Sequence, residues 1–197
     1  MKARLLFALI LVSITGYAFA NNESSELTTS LRTASNFYGV IINTPANVII
    51  SQGENTGIKI EGEKHAVAEI TTSVNNGALV ISGTNNRAVT IYLTVNDLSM
   101  VEVNGSARVY ANGVINSDML LLKVNGSGSI RMDVRTLTIG MIVKGSGKII
   151  ASGSTGQSFS KVFGSGNIYC SNLDSFDSAR TTTPASGGSR SRLSLHQ

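Results

Sequence analysis

The chain has 197 residues, of which 42% are hydrophobic and 14% charged, with 16 Lys plus Arg against 12 Asp plus Glu, 20 Gly, 2 Pro, 1 Cys and no Trp. That length suits one ordinary domain and excludes a long coiled coil or a collagen, and the charged fraction lies well below the ~25% of a typical soluble domain. Ser, Thr and Asn take the place of the missing charges, as they do on the surface of an all-β protein.

Residues 1–20 read as a secretory signal peptide. Lys2 and Arg4 form a basic start, Leu5 to Ile14 is a short apolar run, and Ala18-Phe19-Ala20 is an A-x-A cleavage site. A retained anchor would need ~20 apolar residues. Cleavage after Ala20 leaves 14 cations against 12 acids, and no Cys follows the cut to carry a lipid. No later apolar run is long enough to span a bilayer, so the expectation is an exported protein of the periplasm, the outer surface or the medium. Cys170 is the lone cysteine, so no intramolecular disulfide can form and the core must stabilise the fold unaided.

Residues 21–35 are polar and aperiodic and are expected to be a flexible lead-in. From Phe37 onward, short runs of Val, Ile and Thr are punctuated by Gly, Asn and Ser, which is a strand pattern. The clearest runs are Val40 to Ile42, Val48 to Ile50, Ile58 to Ile60, Leu79 to Ile81 and Val89 to Val95. Glu63 to Ile70 is expected to form at most a turn of helix.

The second half contains a repeat. Val103-Asn104-Gly105-Ser106-Ala107, Val124-Asn125-Gly126-Ser127-Gly128, Val143-Lys144-Gly145-Ser146-Gly147 and Val162-Phe163-Gly164-Ser165-Gly166 match, and their first glycines are 21, 19 and 19 residues apart. A period near 20 is too short for paired helices and suits one coil of a β-solenoid. Aligned on the first glycine, three columns are apolar in every copy and should face inward. They are Val103, Val124, Val143, Val162; then Val109, Ile130, Ile149, Ile168; then Ala111, Met132, Ala151, Cys170. The columns between them should face out, because neighbouring strand side chains alternate. These are Arg108, Ser129, Lys148, Asn167 and Tyr110, Arg131, Ile150, Tyr169. Leu137, Ile139, Met141 and Val143 continue the inward alternation.

The corner glycines are Gly105, Gly126, Gly128, Gly145, Gly147, Gly164 and Gly166. A tight bend calls for positive φ, and stacked coils bring backbones close together. An all-β solenoid over residues 36–177 follows, with the less regular Phe37 to Leu98 region supplying earlier coils and an N-terminal cap. Residues 178–197, with Arg180, Arg190 and Arg192 and no acid, are expected to be a disordered basic tail.

At this point the chain resembles the head GIN domain proteins, a family described as auto-transporter adhesins. The likeness covers about residues 37 to 173 and rests on Phe37 with Val40, Val48-Ile49-Ile50-Ser51-Gln52-Gly53, Ile58-Lys59-Ile60-Glu61-Gly62, Asn76-Gly77-Ala78-Leu79-Val80-Ile81 and the four Gly-Ser repeats. It implies a right-handed parallel β-helix (β-solenoid) similar to pectin lyase-like proteins, a role in adhesion, and no recognised catalytic residues. The amphipathic strand series of a translocating outer-membrane barrel is not present in the sequence.

Nucleophilic catalysis would need a base beside a Ser or Cys, but the chain has only His65, expected on an exposed loop, and His196 in the tail. Cys170 shares its column with small or apolar residues and is expected to be an inert thiol. No His/Cys cluster suggests a metal, and Glu61 with Glu63 is expected to be a solvated edge rather than a calcium site. Asp118 and Asp133 fall in different turns and columns, so converging acids for a glycosidase or lyase are not expected. No cofactor motif occurs, the Gly-rich segments lacking the G-x-x-x-x-G-K-[ST] pattern. Asn104-Gly105-Ser106 and Asn125-Gly126-Ser127 match a glycan acceptor, but the repeat explains them already.

Charge is unevenly distributed. Residues 101–170 carry a net +4 and residues 21–100 a net −3. Arg108, Tyr110, Arg131, Lys144, Lys148 and Tyr169 therefore form the candidate ligand face, suited to an anionic polysaccharide, lipopolysaccharide or other cell-surface component. Export and the modest net charge argue against nucleic acid. The expectation is an exported, non-enzymatic adhesin or envelope binding protein. A carbohydrate-active enzyme on the same fold and a self-associating structural envelope protein are the alternatives.

Overall fold

The computed structural model describes residues 26–34, 37–84 and 89–183. The expected signal peptide and the segment 184–197 lie outside the described residues. The elements in chain order are β1 (Leu27–Arg32), β2 (Gly39–Asn43), β3 (Asn47–Gln52), β4 (Gly57–Glu63), α1 (Lys64–Glu69), β5 (Thr71–Asn75), β6 (Ala78–Ser82) and β7 (Thr90–Val95). The repeat half follows with β8 (Met100–Gly105), β9 (Arg108–Gly126), β10 (Ser129–Gly145), β11 (Lys148–Phe163) and β12 (Asn167–Thr183).

The fold is a β-solenoid of parallel coils. Each long strand runs along a first face, turns a corner and returns along a second face. In β10, Ile130, Met132 and Val134 are buried on the first run and Ile139, Met141 and Val143 on the second. The alternation skips a residue between them, at Leu137-Thr138. Leu137 is therefore 65% exposed, which corrects its expected inward place: the corner inserts one residue that counting in twos does not see.

The β9–β10, β10–β11 and β11–β12 pairings are parallel, with partners 19 to 21 residues apart, so the repeat alignment and the register coincide. The Val103 and Val109 columns are buried in all four copies. In the third column Met132 and Ala151 are buried, but Ala111 and Cys170 are only half-buried. Those two lie where the register shifts, opposite Met132 and Ala151, because β9 and β12 carry extra residues there.

The Gly-Ser corners work by two different devices. The first glycine of each bend has positive φ, as at Gly126 (φ 123), and its carbonyl accepts two N–H groups from the next coil, Ser146 at 3.0 Å and Gly147 at 2.8 Å. The second glycine permits close approach. A Cβ on Gly147 would lie 2.6 Å from the Gly128 carbonyl oxygen and 2.5 Å from Val124 Cγ1. Coils thus stack with backbone on backbone, and no larger residue fits between them.

The N-terminal half reaches the same stack by a non-sequential route. The coil made by β2 and β3 lies between the coil of β6 and β7 and the coil of β8 and β9, since β2 pairs β6 and β8 while β3 pairs β7 and β9. The chain leaves this middle coil, builds the cap from β4, α1 and β5, and returns. β4 and β5 pair antiparallel with β7 and β6. α1 lays buried Ala66 and Val67, followed by Ile70, over the end of the core.

Two expectations at the margins are corrected. The expected lead-in is partly strand: β1 pairs antiparallel with β4. Its Arg32 donates to the Ile70 carbonyl at 2.7 Å and to the Val67 carbonyl at 3.3 Å, capping the C-terminus of α1, whose carbonyls need external donors. Residues 178–183 of the expected tail belong to β12, which continues on β11 to Thr183.

Candidate functional site

The parallel register turns single outward residues into rows that cross every strand of the first face. One row runs Leu31, Lys59, Tyr92, Ile49, Tyr110, Arg131, Ile150, Tyr169, over β1, β4, β7, β3, β9, β10, β11 and β12. Beside it runs a second row, Glu61, Thr90, Asn47, Arg108, Ser129, Lys148, Asn167. Neighbouring members of a row sit one strand spacing apart, ~4.8 Å. Tyr110 and Tyr169 are 38% and 52% exposed, so their rings are available to a ligand lying on the sheet.

Five of the six candidate residues therefore share one surface. Arg108 and Lys148 are in one row and Tyr110, Arg131 and Tyr169 in the next. Lys144 does not join them. It belongs to the second run of β10, where it pairs in register with Asn125 and Phe163 on the opposite face, and its Nζ is 5.9 Å from the Phe163 ring. The corner at Leu137-Thr138 separates it from Arg131. The excess positive charge of residues 101–170 is thus divided between two faces.

The cations of the two faces also differ in what holds them. On the second face Lys123 is 3.1 Å from Glu102, which also accepts from Asn125 Nδ2 at 2.8 Å, and Lys161 lies 4.9 Å from the Phe163 ring. On the first face, among the described residues, Arg108, Arg131 and Lys148 make no ion pair. All three are exposed.

The N-terminal members of the first row are residues that the repeat alignment could not reach. Tyr92, Ile49 and Lys59 come from coils out of sequential order and from an antiparallel strand, so no fixed period connects them to Tyr110. Lys59 Nζ lies 4.2 Å from the centre of the Tyr92 ring and 3.0 Å from Glu61. The Lys59 hydrogen bond lowers the Glu61 carboxyl below its ordinary value of 4.5; desolvation opposes it next in size, and the Lys59 charge and a Tyr92 hydrogen bond add smaller lowering. The signal in the sequence was the alternation of Ile58-Lys59-Ile60-Glu61 itself, which puts Lys59 and Glu61 on one outward face.

The other chemical candidates stay apart. Asp118 stands at a corner and Asp133 on the first face, two rows beyond Arg108, with Val114 and Ser152 as register partners. The amides of Asn104 and Asn125 are engaged in a ladder on the second face: Asn125 Nδ2 donates to Asn104 Oδ1 at 2.7 Å, and Asn104 Nδ2 to Asn43 Oδ1 at 2.8 Å. A shallow hollow of about 410 Å³ lies over Gly156, between exposed Leu137 and Phe176, with Asp174 at its rim.

The family model "Putative auto-transporter adhesin, head GIN domain" matches residues 36–194, a range that includes the Gly-Ser corners, the row-forming faces and the antiparallel strands β4 and β5 of the cap. The chain belongs to the head GIN domain family. None of the curated proteins matches it. Among solved structures, this head GIN domain is similar to one described as a "Putative lipid binding protein" from Parabacteroides distasonis ATCC 8503, at 16% identity and a TM-score of 0.69, over 82% of this chain and 74% of that one. A "putative adhesin" from the same organism aligns at 13% identity and a TM-score of 0.65, over 82% and 80% of the two chains. A third, a "putative adhesin" from Parabacteroides merdae ATCC 43184, aligns at 15% and 0.63, over 82% and 79%. At these identities the likeness concerns the fold, and the rows of the first face must be argued from this chain's own residues. No helix among the described residues is long and apolar enough to cross a membrane.

Proposed function

We propose that this head GIN domain protein is an exported, non-enzymatic adhesin that holds an anionic polysaccharide on its first face. Family membership supports the adhesive role and a cell-surface address, and the basic and apolar pattern of residues 1–20 supports export. The observation that carries the ligand reading is the pair of rows containing Arg108, Lys148, Tyr110, Arg131 and Tyr169, whose three cations make no ion pair among the described residues. Flat tyrosine rings offer sugar rings a stacking surface, and guanidinium groups offer carboxylates or phosphates two parallel hydrogen bonds.

The test is retention of the chain from Asn21 to Gln197 on immobilised acidic and neutral polysaccharides and on lipopolysaccharide, with new sugar ends assayed in the same samples. Lipopolysaccharide belongs in the panel because it is anionic and because one structural neighbour is described as a lipid binder. Retention on acidic ligands that weakens with salt and in Arg131→Ala is the expected result. New ends would make the protein an enzyme, and retention untouched by Arg131→Ala would move the site off the first face.

A further inference from the structure

Resting on the ligand face above, we infer that the polymer it recognises carries one carboxylate on every sugar ring and lies across the strands, along the solenoid axis. The inference comes from how the three unpaired cations of these two rows are spaced. Arg108 is on β9, Arg131 on β10 and Lys148 on β11, so within the two rows three consecutive strands each present one, the other outward cation of β10, Arg135, lying beyond Asp133. Their step along the axis is one strand spacing, ~4.8 Å, which is close to the rise of a single pyranose ring in an extended chain. Arg108 and Lys148 belong to one row and Arg131 to its neighbour. The cations thus zigzag, as successive carboxylates do on a polymer whose rings alternate in facing. A polymer charged on alternate rings would leave the middle strand's cation without a partner.

The surroundings define the track. Tyr110 on β9 and Tyr169 on β12 bracket Arg131 in its own row, so rings can stack at either end of the charged segment. Asp133 stands beyond Arg131 on β10, and Val114 and Ser152 flank it in register. Its charge separates the Arg108 and Arg131 rows from Arg135, the next outward residue of β10, and repels an anion that drifts off the two rows. Toward the cap the Arg108 row ends in Glu61, an acid already engaged by Lys59 at 3.0 Å. The cationic segment is therefore bounded, and its length matches about three consecutive rings at one strand spacing each.

The experiment compares ligands of equal length by calorimetry or competition. A homopolymer of uronic acids, a polymer with uronic acid on alternate rings and a neutral polymer are each titrated against the chain from Asn21 to Gln197. The expected order is the fully charged polymer first, by about tenfold over the alternately charged one. Its affinity should rise with length up to about three or four rings and then level off. Arg131→Ala and Lys148→Ala should each weaken it about threefold to tenfold, while Lys144→Ala, which removes the same charge from the opposite face, should leave it unchanged. Equal affinity for both charged polymers, with Arg131→Ala still weakening each, would overturn the spacing inference and leave the ligand face standing. No binding to any of the three would overturn both. A loss in Lys144→Ala equal to that in Lys148→Ala would show that only net charge is read, and would also overturn it.

Discussion

Gly147 and Gly105 both belong to the corner motif, yet they do different work. Gly105 needs its positive φ of 116, and a Cβ there would meet open space within 4 Å. A Cβ on Gly147 would be driven into the Gly128 carbonyl oxygen and Val124 Cγ1 at once. Gly147→Ala should therefore force two coils apart, costing about 1–3 kcal/mol as overpacking does. Gly105→Ala should strain one residue, within the range of ~1–3 kcal/mol for a forced backbone conformation. The two are separated by a third variant, Val124→Ala, which removes a side chain that the new Cβ would strike. In urea unfolding, Val124→Ala should partly offset Gly147→Ala and should add independently to Gly105→Ala. Simple addition in both pairs would sink this division of roles. The first copy already carries Ala107 at the second-glycine position, buried at 1% exposure. It can do so because the coil beneath it turns through Thr44-Pro45-Ala46 rather than through a Gly-Ser corner, as the bond from the Arg108 N–H to the Ala46 carbonyl shows.

At the scale of elements, the cap is where sequence reasoning reached least far, and for a physical reason. The four Gly-Ser copies announce themselves because parallel coils of equal length repeat the same inward and outward positions. Antiparallel β4 and β5, the out-of-order coil of β2 and β3, and the six-residue α1 share no period with them. β1 is polar at alternate positions and only its pairing with β4 reveals it. The same limit hid Tyr92, Ile49 and Lys59 from the first-face row, whereas the outward direction of Arg108, Tyr110, Arg131, Lys148 and Tyr169 was legible from the repeat alone. Lys144 was misassigned because a column count records that a residue faces outward but not which face it is on. The Glu61 contacts make the cap testable by pH. Its carboxyl is held below 4.5 in the folded chain, so the contribution is fully present above the unfolded value and is lost as pH falls through the lower folded value. Hydrogen exchange in β4 and β7 should quicken in acid below that value before β10 does, and Glu61→Gln should remove the acid step. If wild type and Glu61→Gln lose protection at the same pH, the Lys59, Tyr92 and Glu61 contact does not hold the cap.

For the whole molecule, the inward rows of the second face change character from one coil to the next. One reads Leu120, Ile139, Ser158, Ser178 and another Leu122, Met141, Ser160, Arg180, from β9 to β12. Leu120, Leu122, Ile139 and Met141 are buried to within 1%, and each such side chain contributes ~1.5–3 kcal/mol. Ser158 and Ser160 contribute little of that kind, and Ser178 and Arg180 are exposed. At the other end α1 and the antiparallel strands close the core over Ile60, Ala66 and Ile70. A solenoid's stability is close to a sum over neighbouring coils, so burial concentrated at one end makes opening directional. The coils should open from β12 toward β9. Native-state hydrogen exchange should show protection falling in the order β10, β11, β12 along the second face, with the opening free energy of β12 well below the global value. Restoring apolar character in the weak coil by Ser160→Val should raise protection in β11 and β12 more than in β3 or β7. Uniform protection from β3 to β12 would mean that the coils unfold as a single cooperative unit and that the stacked corners, rather than the side-chain rows, set its stability. The direction also matters for the ligand face, because Tyr169 lies on the coil that opens first while Arg108 and Arg131 lie on coils that stay closed. A bound polymer spanning β9 to β12 should therefore slow exchange most in β12, a shift that a ligand confined to Arg108 and Arg131 would not produce.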